Sequence, residues 1–212
     1  MRKSLAVVLA SLVWSMPALS SELTITVTQG DSNEPVSDAV VYLDRVDEVT
    51  PITAEVYQKD RAFHPDVLIL PVGSLVEFPN RDNTQHHVYS FSPAKPFNIE
   101  LYADKPEAPV LFDTPGIVEL GCNIHDHMQA FIIVTNTIAI GQTNDEGRVT
   151  LTTRAGSGQL PIKIWHPRLP DNTRPILRQL DSATSQTLAI DLVPKPAMDD
   201  SMDLLQQRFR EL

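Results

Sequence analysis

A single cysteine, Cys122, stands among 212 residues, so no disulfide can close within the chain. That scarcity also excludes a metal pair bridged by two cysteines, and no second histidine-rich cluster suggests another kind of metal centre. Long apolar runs are missing too. The one apolar stretch of note, from Leu5 to Trp14, is about half of the ~20 residues that a membrane-spanning helix needs. Heptad arrays, tandem repeats and low-complexity tracts are absent, which leaves out coiled coils and solenoids. Positive charge is in deficit: 17 Lys and Arg face 27 Asp and Glu, a formal net charge of −10. A chain of this charge is repelled by nucleic acid and anionic lipid and drawn to basic partner surfaces.

Arg2 and Lys3 precede the apolar run, Pro17 breaks it, and Ala18-Leu19-Ser20 supplies small residues after it. These are the three parts of an export signal, and cleavage is expected after Ser20. The remainder is then an exported, periplasmic protein with no membrane span. Loss of Arg2 and Lys3 makes it more acidic still. In an oxidising compartment a lone thiol is a liability unless something holds it. Cys122 is therefore a buried inert thiol, an intermolecular bridge or a ligand.

Its surroundings favour the ligand. Residues 121–128 read GCNIHDHM, so Cys122, His125 and Met128 form a Cys-x2-His-x2-Met array. Upstream, residues 80–91 read NRDNTQHHVYSF and offer a second imidazole from His86 or His87. Two imidazoles, one thiolate and a weak axial thioether are the donor set of a blue-copper electron-transfer centre. Thiolate and thioether favour Cu(I), while two imidazoles keep Cu(II) tolerable. One hairpin has to deliver three of these donors, which explains their close spacing. The fourth has to come from a separate strand, so that the loop is stapled to the core. His127 reads as a solvated loop residue, and His64 and His166 as packing or surface residues.

The remaining pattern is β. Residues 23–28 alternate with period two, and 39–43 are a short apolar strand. Residues 67–70 and 74–78 read as strands around a Pro-Val-Gly turn. Further strands are expected at 88–91, 97–102, 110–112, 117–120, 130–135, 147–153, 160–165 and 187–193. Many short strands punctuated by 17 prolines predict an all-β sandwich or sandwiches. In 199–212, Met202, Leu205, Phe209 and Leu212 share a face, which predicts a short C-terminal helix.

Residues 122–134 (CNIHDHMQAFIIV), with 76–80 (VEFPN) and 112–116 (FDTPG), resemble the blue-copper (cupredoxin) family in its amicyanin-like, short-loop form. The resemblance covers about residues 58–136. It implies a Greek-key sandwich holding one type 1 copper on His86, Cys122, His125 and Met128. His86 is the strand ligand by this resemblance, because the family places Asn and then Val after it, and His87-Val88 occupies those places. Ile124 departs from the family, which has proline there. The same motifs are similar to exported proteins called methylamine utilisation proteins. Residues 22–43 and 143–166 resemble two halves of the transthyretin-like domain of carboxypeptidase regulatory regions. The expected organisation is thus a signal peptide at 1–20, N-terminal strands of a β-sandwich module at 21–57, and a copper domain at 58–136. C-terminal strands of the module follow at 137–193 and a helical tail at 194–212.

The function expected on this basis is a periplasmic electron carrier rather than an enzyme, since a copper enzyme would need an open coordination position or a second metal. Its partners would be redox proteins such as a c-type cytochrome or a periplasmic dehydrogenase; nothing in the pattern specifies an oligomeric state. Two other classes use the same residues. A copper chaperone or storage protein would leave them exposed and loosely packed, and a structural sandwich would bind no metal. The apolar residues flanking the loop, Ile117, Val118, Leu120 and Phe131 to Val134, favour a rigid, buried site.

Overall fold

The computed structural model describes residues 20–154, 158–181 and 185–194. The expected signal peptide up to residue 19 and the expected helical tail from residue 195 lie outside the described residues. Apart from a 3-10 turn at Gly30–Ser32, the regular structure among the described residues is all β. The chain opens with β1 (Ser20–Gln29), β2 (Glu34–Pro35) and β3 (Val40–Leu43). It continues through β4 (Thr53–Glu55), β5 (Tyr57–Lys59), β6 (Ala62–His64), β7 (Val67–Pro71) and β8 (Ser74–Glu77). Next come β9 (His86–Ser90), β10 (Phe97–Tyr102), β11 (Val110–Phe112), β12 (Gly116–Cys122) and β13 (Gln129–Thr135). It closes with β14 (Ile140–Gln142), β15 (Arg148–Arg154), β16 (Leu160–Trp165), β17 (Ile176–Leu180) and β18 (Ser185–Ile190).

The middle of the chain builds a five-stranded sheet in the order β10-β9-β12-β13-β7 and a three-stranded sheet in the order β11-β8-β4. The β5-β6 hairpin completes this unit. Its core gathers Leu70, Phe78, Val88, Phe112, Leu120 and Ile132 around Cys122 and Met128. The strands on either side in sequence interleave with each other. β1 pairs antiparallel with β15 and parallel with β18, and β3 lies between β14 and β16 in a second sheet. Their core is built on Ile25, Leu151, Ile162, Ile164 and Trp165.

Two strand pairings shape the middle unit. First, the strands around Gly73 do not pair with each other: β7 joins β13 and β8 joins β11 and β4. The turn therefore carries the chain from one sheet to the other, and Gly73, at φ +87°, supplies the left-handed backbone for it. Second, β4 pairs parallel with β8, which places Thr53–Glu55 in the same sheet as Ser74–Glu77.

β13 shows how the two cores are joined. Its sequence QAFIIVT is almost continuously apolar because both of its faces are covered. Ala130, Ile132 and Val134 point into the core with Cys122. Phe131 and Ile133, with Ile117 of β12, enter the core of the flanking strands. The chain enters and leaves the middle strands side by side, at the neck formed by Asp47 and Asn136. There the Asp47 N–H donates to the Asn136 carbonyl at 2.8 Å. The Asp47 carboxylate accepts from Arg45 Nε at 2.9 Å, Thr137 Oγ1 at 2.7 Å and the Ile138 N–H at 3.1 Å.

Candidate metal centre

β9 alternates strictly: His86, Val88 and Ser90 are buried, while His87 and Tyr89 face outward. β12 pairs with β9 so that Cys122 lies opposite Val88, which puts Cys122 and His86 on the same inner face. The chain then turns over residues 123–128. The Asn123 N–H donates to the His87 carbonyl at 3.3 Å, and the Met128 N–H closes the turn on the His125 carbonyl at 3.0 Å. These bonds tie the loop to β9 and swing His125 back over Cys122.

The result is a tight cluster. Cys122 Sγ lies 3.7 Å from His86 Nδ1 and 3.8 Å from His125 Nδ1. The three donor atoms all lie within 4.8 Å of one another. Sulfur and imidazole donors sit about 2.0–2.3 Å from a bound first-row metal ion, so two donors sharing one ion lie at most ~4.6 Å apart. The two sulfur–nitrogen separations meet that limit. His86 is fully buried and Cys122 nearly so, while His125 is partly exposed. Met128 is 2% exposed in the same core as Cys122. A cleft of about 340 Å³ beside Cys122 and Met128, lined also by Tyr89, Glu119, Asp126 and His127, opens this end of the sandwich to solvent.

Partial desolvation pushes the His125 pKa below its ordinary value, and His86, Arg61 and His127 push it the same way, against a smaller opposing pull from Asp82. A neutral imidazole leaves its Nδ1 lone pair free for a metal.

His87 turns the other way. Its Nε2 meets Asn98 Oδ1 at 2.5 Å, and its ring lies edge-on to Tyr89. The ring of His127 lies 6.3 Å from that of His125. His64 stacks on Tyr57, and His166 accepts the Arg168 N–H through Nδ1.

Asp82 is the site residue that sequence reasoning missed. Its Oδ2 lies 2.8 Å from His86 Nε2, on the side of the ring away from Cys122. The same carboxylate accepts the N–H groups of Asp60 at 2.7 Å and Arg61 at 3.0 Å. Burial alone would raise its pKa, but the Arg61 N–H, His86 and the Asp60 N–H outweigh that and hold it below the ordinary carboxylate value. The only sequence signal was an acid four residues before a histidine. In a loop that spacing has no periodic meaning.

Two facing sheets with this donor set at one end make the middle unit a cupredoxin-like β-sandwich. No protein-family model and no curated protein matches the sequence. Similar solved structures include a copper-containing nitrite reductase from Thermus scotoductus, 27% identical with a TM-score of 0.37 over 43% of this chain. A purple cupredoxin from Nitrosopumilus maritimus is 20% identical with a TM-score of 0.34 over 39% of this chain. A reduced variant of amicyanin is 16% identical with a TM-score of 0.36 over 45%. The chain spans 24% of the length of the nitrite reductase, 99% of the purple cupredoxin and 98% of the amicyanin.

Proposed function

We propose that this chain is a periplasmic, mononuclear type 1 (blue) copper protein that carries single electrons between redox partners. The observation that carries the reading is the convergence of His86 Nδ1, Cys122 Sγ and His125 Nδ1, at sulfur–nitrogen distances of 3.7 and 3.8 Å, at one end of a packed core. His86, Cys122 and His125 would hold the ion, with Met128 as a weak axial donor. Bound there, copper supplies a one-electron couple between Cu(I) and Cu(II). The protein's part is to hold soft and borderline donors in one arrangement, so that little has to move when the charge changes.

Burial of His86, Cys122 and Met128 favours a carrier over a chaperone, which has to surrender its metal and needs exposed, loosely held ligands. On this reading the middle unit, expected at 58–136, is the working part, inserted in a supporting sandwich made by 21–57 and 137–193. The acidic surface suits partners with basic faces, such as a c-type cytochrome or a periplasmic dehydrogenase. The visible spectrum and cyclic voltammetry of the protein after one equivalent of Cu(II) test the reading. An intense thiolate-to-copper band and a reversible one-electron wave are expected. Copper bound without either would point to storage or delivery, and no copper binding would leave a structural sandwich.

A further inference from the structure

We propose that Asp82 is the positioning residue of the metal centre: it holds His86 with Nδ1 turned to the metal and biases the site toward the oxidised ion. This rests on the copper-carrier reading above, and it concerns a residue outside the four donors.

The geometric half follows from the two faces of one ring. His86 is fully buried, so neither nitrogen can turn to water. Nδ1 faces the Cys122 sulfur at 3.7 Å and Nε2 faces Asp82 Oδ2 at 2.8 Å. A carboxylate only accepts, so the proton of a neutral ring belongs on Nε2, and the lone pair is left on Nδ1. Asp82 is itself held from three directions. Its oxygens take the N–H groups of Asp60 and Arg61, and its own N–H donates to Asn80 Oδ1 at 2.9 Å. Asn80 is buried and anchored through Nδ2 to the carbonyls of Thr84 and Tyr102. Asp60 and Arg61 both have left-handed backbone, at φ 53° and 56°, so the carboxylate also fixes the turn between β5 and β6. The ligand cannot swing without breaking a network that extends well behind it.

The electrostatic half is a charge count. The side chain of Asp82 is 10% exposed, so its charge is poorly screened at the site. With the Cys122 thiolate, the Asp82 carboxylate and two neutral imidazoles, the site is neutral when it holds Cu(II). It carries one net negative charge when it holds Cu(I). Without Asp82 the order reverses: the reduced site is the neutral one. Net charge in a poorly solvated place is costly, so the carboxylate favours release of the electron to a partner over its retention. A carboxylate behind a ligating imidazole also raises its basicity, which works in the same direction. Arg61 is the nearby cation, but its side chain is exposed and water screens it.

Asp82→Asn keeps the shape and an accepting oxygen while removing the charge. In the copper-loaded protein it is expected to keep the visible band and to raise the midpoint potential. The ratio of Cu(I) to Cu(II) affinity should rise at least tenfold, which is about 59 mV for one electron. Asp82→Glu, which restores the charge, should recover most of that shift. Nitrogen-15 NMR of the metal-free, unsubstituted protein needs no variant, and it should find His86 protonated on Nε2. An Nδ1-protonated His86 there overturns the positioning role. An unchanged midpoint in Asp82→Asn with the band intact overturns the bias. A colourless unsubstituted protein with Cu(II) overturns the carrier reading instead, and the NMR result still decides whether Asp82 orients the ring.

Discussion

Phe131 and Trp165 meet edge to face, with ring centroids 4.9 Å apart and both side chains buried. Phe131 belongs to the strand that leaves the 123–128 loop, and Trp165 ends a strand of the flanking sheets. This contact is where the sheet that carries Cys122 is pressed onto the rest of the molecule. The Trp165 N–H is satisfied by the Asn172 carbonyl at 2.7 Å, so the large ring is buried without an orphaned donor.

Trp165→Ala should therefore cost about 3–5 kcal/mol, the range for losing a fully buried large aromatic ring. Urea denaturation of the metal-free protein measures it. The copper band of the fraction that remains folded is expected to be unchanged, because no donor touches Trp165.

Cys122→Ser should abolish the visible band and weaken copper binding, since a hydroxyl is harder than a thiol and stays protonated. Absorption after Cu(II) addition is the measurement. An intense band surviving in this variant would rule out the thiolate as its source.

His86→Ala should destroy the site, and His87→Ala should leave band and midpoint nearly intact. The reason lies in strand alternation: the two rings stand on opposite faces of β9. The reverse result would move the ligand by one residue and turn the strand over.

Met128→Leu should retain copper and colour, with the midpoint rising by roughly the 59 mV of one tenfold step. Removing a weak donor disfavours Cu(II). Voltammetry of the two proteins side by side decides it; outright loss of copper would mean that Met128 carries the affinity.

Asp47 gives a pH dependence. Burial by itself would raise its pKa, but hydrogen bonds from Thr137, Arg45 and the Ile138 N–H outweigh it and hold the carboxyl below its ordinary value. A depressed folded-state pKa stabilises the fold above the unfolded value of about 3.9, and this stability is lost as pH falls through the folded value. Unfolding free energy followed from pH 6 down to strong acid should show that fall, and Asp47→Ala should remove its share of it. At neutral pH the same substitution should cost about 1 kcal/mol, because it takes the acceptor away from the buried Thr137 hydroxyl.

The parts of this molecule that were legible in the sequence are local. The Cys-x2-His-x2-Met spacing marks a turn between two strands, and the hairpin β12–β13 carries it. Apolar residues at 117–120 and 130–135 mark those strands. Alternation of strand faces favoured His86 while the spacing to Phe91 favoured His87, because both begin the strand and the apolar pattern starts only at Val88. The parallel pairing of β1 with β18 was not legible, since the partners lie far apart in sequence and share no motif. Asp82 was hidden for a different reason. Its role comes from a loop folding over a buried ring, and neither strand nor helix periodicity reports on that.

The neck at Asp47 and Asn136 has a bearing on how the chain assembles. Closing a loop costs entropy that grows only as the logarithm of its length, about 0.6 kcal/mol for each doubling. β3 and β14 must find each other across the whole middle unit. Once that unit has folded, its two ends are already one hydrogen bond apart, and the search left to the flanking strands is that of a short hairpin. A ligand that stabilises the middle strands thereby shortens the chain that β3 and β14 have to search across. Loading the metal centre should speed the docking of β14 onto β3, although no residue of either strand touches the metal centre.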